Sequence, residues 1–115
     1  MKLIGDIGGT KVLMALVDER GVIRQRCRLA SAEFARFDDL LAAYLRDIDA
    51  PIEEGCLAVA GPVADDGRSA KVTNLPWTID GAALETRFGL GPLWLINDFA
   101  AVAHGVTSLK SEQTC

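Results

Sequence analysis

Gly5-Asp6-Ile7-Gly8-Gly9-Thr10-Lys11 decides how the rest of the chain is read, because it sets a glycine-rich turn between two short apolar runs almost at the first residue. Adjacent glycines let the backbone enter φ > 0 and let another group approach where a Cβ atom would stand. Such a turn offers peptide N–H groups to an anion such as phosphate. Asp6 then comes within reach of a phosphate-bound Mg²⁺, a hard cation that takes one or two carboxylates together with water and phosphate oxygens. Thr10 adds a hydroxyl and Lys11 a positive charge. The glycine spacing matches neither the Walker A loop nor the dinucleotide fingerprint. Gly-Gly between two strand-like runs is also an ordinary hairpin turn, so the stretch reads as a phosphate-binding hairpin or as a hairpin alone. Asp6 inside the apolar run, and Thr10-Lys11 directly after the glycines, favour the first reading.

Outward from the turn, Leu3 to Ile7 and Val12 to Val17 are nearly continuous apolar runs, the pattern of strands buried on both faces. Glu19-Arg20-Gly21 is a second turn, and Val22 to Leu29 alternates with period two as a half-exposed third strand. Asp38 is placed to cap a helix whose inner face carries Leu40, Leu41, Tyr44, Leu45 and Ile48, closed by Pro51 to Gly55. Cys56 to Ala60 is a short apolar strand ended by Gly61-Pro62. From Val63 to Trp77 the pattern weakens, with a hairpin signal at Asp66-Gly67 and a loop at Asn74-Leu75-Pro76-Trp77. Asp80 reads as the N-cap of a helix carrying Leu84 and Phe88, ended by Gly89 as a left-handed cap. Leu93 to Ile96 is another buried strand, and Phe99, Val102, Ala103 and Val106 mark the inner face of a last helix. The order β-β-β-α-β-α-β-α predicts an α/β domain, a mixed sheet with helices on both faces. Ligands on such a sheet collect at the carboxyl ends of its parallel strands, where the glycine turn and Asn97-Asp98 both fall.

With 115 residues, half of them apolar, the chain makes one domain. A net charge of −4 with no basic stripe argues against nucleic acid. Arg24, Arg26 and Arg28 alternate with Ile23, Gln25, Cys27 and Leu29 and are expected on one face of the third strand, as a solvated edge. Cys27, Cys56 and Cys115 are an odd set without C-x-x-C spacing, which suits reduced thiols. No basic segment leads into an apolar stretch, and no run approaches the ~20 apolar residues of a membrane span. These features read as a cytoplasmic protein with neither a membrane nor a nucleic-acid partner.

Asp98 stands where an apolar strand meets a helix, so it can cap that helix, act as a base toward a bound hydroxyl, or do both. At this point the residues carry a resemblance. The glycine stretch resembles the first phosphate motif of the sugar kinase, actin and Hsp70 superfamily, whose core is a ribonuclease-H-like, actin-like ATPase domain. Leu95-Ile96-Asn97-Asp98-Phe99, Cys56 to Val63 and Thr73-Asn74-Leu75-Pro76-Trp77 are similar to segments of bacterial ATP-dependent glucokinases. The resemblance covers essentially the whole chain.

The resemblance implies a kinase that transfers phosphate from ATP to the 6-hydroxyl of glucose, at the head of glycolysis. It implies that Asp98 is the general base and that Asn97, Asp98 and Asn74 bind the sugar. Asp6 would support Mg²⁺ through water, and Gly8, Gly9, Thr10 and Lys11 would face the ATP phosphates. Phe99 after the Asp resembles the glucokinase branch, and Lys11 stands where many of these enzymes have Asn. Residues 1–115 are then expected to be the small N-terminal domain of a two-domain kinase, with the adenosine site in a larger domain beyond Cys115. His104 fits none of the family's sugar-binding roles. A homodimer is expected, because surfaces that the larger domain covers would be bare. The alternative is a sugar-sensing repressor built on the same fold.

Overall fold

From the N-terminus, Lys2–Ile7 (β1), Lys11–Val17 (β2) and Ile23–Ala30 (β3) come first, and a 3₁₀ turn at Ser31–Glu33 leads to Phe37–Leu45 (α1). Glu54–Val59 (β4), Ser69–Lys71 (β5), Thr78–Asp80 (β6), Gly81–Phe88 (α2) and Leu93–Asn97 (β7) follow. This computed structural model describes residues 1–97. The helix read over 99–106, together with Asp98, His104 and Cys115, lies outside the described residues.

The main sheet has the order β3-β2-β1-β4-β7. β2 runs antiparallel to β1 and β3, while β4 is parallel to β1 and β7 is parallel to β4. The sheet is therefore mixed, as the sequence predicts. The carboxyl ends of β1, β4 and β7 lie along one edge, where such sheets form ligand crevices.

Burial explains why β1 and β2 occupy the middle. On one face Leu3, Ile7, Val12, Met14 and Leu16 join Leu57, Leu93 and Leu95 against Phe37, Leu40, Leu41 and Tyr44 of α1 and Leu84 of α2. On the other face Leu13 and Ala15 form a smaller cluster with Ile4 and Ile23. A run that contributes to both faces has no room for period-two polarity. Both described helices pack on the first face, so the expected second layer is not among the described residues.

The start of α1 departs from expectation. The N-cap is Arg36, with no side-chain capping bond, and Asp38 lies inside the first turn. Phe37 is fully buried, with its ring centroid 6.0 Å from that of Trp77, so the helix begins where that ring must turn inward. Asp38 there still favours the helix through its charge near the positive end of the dipole. α2 follows the sequence signals closely. Asp80 Oδ1 accepts from the Ala83 amide at 3.2 Å, and Gly89 ends the helix at φ 65°.

Two further readings are corrected. The weak stretch Val63–Trp77 leads into a small antiparallel sheet of β5 and β6, strands too short for any periodicity to show. In β3, two residues, Gln25 and Arg26, stand opposite one in β2, and Gln25 takes φ 54°. That bulge inverts the alternation. Arg28 pairs with Leu13 and Arg24 with Leu16, so the arginines lie on opposite faces rather than on one. Among the described residues Cys56 is a free thiol. Among the described residues no helix is long and apolar enough to cross a membrane.

Candidate functional site

The turn between β1 and β2 is closed by the Gly8 amide donating to the Lys11 carbonyl at 3.0 Å. The Gly8 carbonyl accepts from the Ser31 hydroxyl at 2.9 Å, and the Thr10 carbonyl accepts from the Ser31 amide at 3.0 Å. Among the described residues, the amides of Gly9 and Thr10 have no hydrogen-bond acceptor. Neither Gly8 nor Gly9 adopts positive φ, in contrast to Gly21, Gly67 and Gly89. The glycines are needed for close approach instead. A Cβ on Gly9 would lie 3.1 Å from the Thr73 carbonyl oxygen, and one on Gly8 would lie 3.1 Å from that of Lys11. Gly5, inside β1, is closer still to its neighbours: its Cβ would meet Met14 Sδ at 2.7 Å and Leu57 at 2.8 Å.

The chain leaving β4 completes the next part of the same edge. A Cβ on Gly61 would stand 2.0 Å from the Lys71 carbonyl oxygen, so only glycine lets these backbones cross. The Thr73 amide donates to the Ala60 carbonyl at 2.9 Å, and the Lys71 amide to that of Pro62 at 3.0 Å. This contact presents the loop Thr73-Asn74-Leu75-Pro76-Trp77 to the glycine turn. Asn74 sits at φ 68°, a conformation Asn tolerates better than most residues, in a turn closed by Leu75 N–H to the Val72 carbonyl at 3.2 Å. Trp77, 2% exposed, anchors the far end of the loop in the core.

Asn97, the last described residue of β7, donates from Nδ2 to the Gly61 carbonyl at 3.1 Å. Gly8, Gly9, Thr10, Asn74 and Asn97 are thus brought to one edge by loops that touch one another. Lys11 is exposed at the start of β2. Asp6 is half-buried two residues before the turn, in register with Leu13 and Ala58, and its side chain leaves the sheet on the face opposite α1 and α2. Asp98 follows Asn97 and lies outside the described residues.

Among the described residues no group of three or more His, Cys, Asp or Glu side chains could hold a metal ion. A cation at this edge would have Asp6 as its protein carboxylate and would take its other oxygens from water and from a ligand. That donor set fits Mg²⁺, which rarely has an all-protein cage. Burial, with Glu54 a smaller cause, pushes the Cys56 thiol up, so it stays protonated and is a poor nucleophile. Among the described residues the edge therefore offers amide donors for an anion and side-chain amides for polar ligand groups.

The sequence reading did not single out Ser31. Its signal is slight: one small polar residue where an alternating strand gives way to a helix.

A family model described as Glucokinase matches residues 3–115. A glucokinase from Nostoc punctiforme is 39% identical over 96% of this chain and 33% of its own length. In structure, the glucokinase of an Antarctic psychrotroph is similar with a TM-score of 0.77 and 32% identity, over 96% of this chain and 36% of that one. A ROK family glucokinase from Streptomyces griseus, in complex with glucose and AMPPNP, gives a TM-score of 0.71 and 26% identity, over 97% and 38%. The chain spans about a third of the length of the curated relatives it matches.

Proposed function

Since the chain belongs to the glucokinase family, we propose that it forms the small domain of a two-domain kinase that phosphorylates glucose at the 6-hydroxyl with ATP. The observation that carries this reading is the meeting, at the carboxyl edge of β1, β4 and β7, of a glycine turn with unengaged amides and the amide side chains of Asn74 and Asn97. Glucose and AMPPNP, an analogue of ATP, are bound by the Streptomyces griseus relative.

In this reading the Gly9 and Thr10 amides, with Lys11, receive the nucleotide phosphates. Gly8 contributes by closing the turn. Asn97 and Asn74 orient sugar hydroxyls, and the Asp98 carboxylate takes the 6-hydroxyl proton. The bond from O6 to the γ-phosphorus forms as the bridging oxygen leaves on ADP. Chemistry of this kind depends mostly on positioning and charge stabilisation, which is what a rigid edge of amide donors supplies. Asp6 would hold Mg²⁺ through water, and the bound ion would neutralise phosphate charge. The reaction consumes ATP, so the cytoplasm is the compartment we assign.

We also carry the homodimer as a proposal. It rests on the expectation that a contiguous apolar patch left uncovered becomes an interface. Sedimentation at tens of micromolar should give a dimer mass, and a monomer throughout would remove the proposal.

Replacing Asp98 by Asn in the complete enzyme tests the function. The expected loss in kcat is roughly 10²–10⁴-fold, because the amide cannot accept the proton. Asn still caps a helix, so stability should hold. A variant with near wild-type kcat would remove Asp98 from the role of base.

A further inference from the structure

We propose that Ser31 is a positioning residue for nucleotide binding: its hydroxyl draws the Gly8 carbonyl out of ordinary hairpin closure and so turns the Gly9 amide outward. The proposal rests on the reading of the glycine turn as the phosphate loop. Ser31 is fully buried, and the two hydrogen bonds it donates have different origins. Its amide donates to Thr10 as the next rung of the β2–β3 ladder after the pair Lys11 and Ala30, a bond that any residue but proline could make here. Its hydroxyl instead reaches past β2 to the carbonyl of Gly8, 2.9 Å away, which needs a hydroxyl at this position.

A two-residue hairpin normally closes with two bonds between its flanking residues, each amide donating to the other carbonyl. Here only the bond from the Gly8 amide to the Lys11 carbonyl forms. The Gly8 carbonyl, which would accept from the Lys11 amide in an ordinary hairpin, accepts from Ser31 instead. Two amides are affected. Lys11 N–H is left without the Gly8 carbonyl. The peptide between Gly8 and Gly9 is trans, so its C=O and N–H point in opposite directions, and fastening the carbonyl toward Ser31 directs the Gly9 N–H away from it. One buried hydroxyl thus distinguishes a donor-rich anion turn from a self-satisfied hairpin.

The test compares Ser31→Ala, Ser31→Cys and Ser31→Thr with wild type in the complete enzyme, with Mg-ATP and glucose varied separately. Wild-type turnover of glucose must be seen first; its absence overturns the functional reading and this proposal with it. Given turnover, Ser31→Ala should lower kcat/KM for ATP about tenfold, the size of effect that small misplacement of binding groups produces, while KM for glucose stays within about twofold. Ser31→Cys, which keeps the volume and weakens the donor, should show the same selective loss at smaller size, and covers the case in which Ser31→Ala does not fold. Ser31→Thr, which keeps the hydroxyl, should restore most of the ATP dependence. Equal changes for both substrates, or a lower Tm with unchanged kinetics, would overturn the proposal and leave the assignment of the reaction standing.

Discussion

β2 begins and ends in a hairpin turn, and the two turns are built on opposite principles. At its far end the turn is self-sufficient. Asp18 Oδ1 accepts from the amides of Arg20 and Val22 at 2.9 and 3.0 Å, the Gly21 amide donates to the Asp18 carbonyl at 2.9 Å, and Arg24 Nε donates to Asp18 Oδ2 at 2.7 Å. Gly21 is there for its φ of 79°, and a Cβ on it would touch nothing within 4 Å. At the near end, Gly8 and Gly9 have no positive φ, their substituent space is bounded by backbone oxygens, and the Gly9 and Thr10 amides have no acceptor among the described residues. The lesson is that glycine marks a turn for two unrelated reasons, torsion and clearance. Clearance beside unengaged donors is the combination that suits a ligand.

Substitution at the two turns should separate them. Gly9→Val puts branched bulk against the Thr73 carbonyl, and displacement of the loop should cost about 100-fold in kcat/KM for ATP, the penalty of roughly ångström-scale misplacement. Steady-state kinetics checks this, and a loss below threefold would mean the clearance is not needed. Gly21→Ala pays only the left-handed torsion, about 1 kcal/mol of stability. Chemical denaturation should detect that cost, with kinetics unchanged; any selective change in ATP dependence would erase the distinction between the turns.

The smallest effect concerns acid. The Asp18 carboxyl is held below the usual carboxylate range chiefly by the hydrogen bond from Arg24, then by the Val22 amide. A depressed folded-state pKa gives stability that is present above the unfolded value of about 3.9 and lost as pH falls through the folded one. The far turn should therefore loosen only in acid below that value. Asp18→Asn should flatten the corresponding slope of stability against pH. An unchanged slope would mean that this carboxylate contributes nothing to the turn.

What the sequence discloses follows from how local each cause is. The paired buried strands, the Asp80 cap and the Gly89 stop are written in neighbouring residues and are read correctly. The β3 bulge is not, because Gln25 carries no residue-type signal for φ > 0. β5 and β6 escape because three-residue strands have no period to detect. Within the site, Gly8 and Gly9 are legible as a turn, but the reason for them is not. Their clearance is set partly by Thr73, and the orientation of their peptide by Ser31, both distant in sequence. The convergence of Asn74 and Asn97 on the turn rests on Gly61, whose backbone contact with Lys71 is likewise invisible before the chain is folded.

Residue-resolved amide exchange on the complete enzyme, with and without Mg-AMPPNP in the presence of glucose, tests directly whether the glycine turn receives the phosphates. The amides of Gly9 and Thr10 should become slower to exchange when the nucleotide binds, while those of Arg20, Gly21 and Val22, already engaged within their own turn, should not change. Protection confined to other regions, with Gly9 and Thr10 exchanging as fast as in the unliganded enzyme, would contradict it.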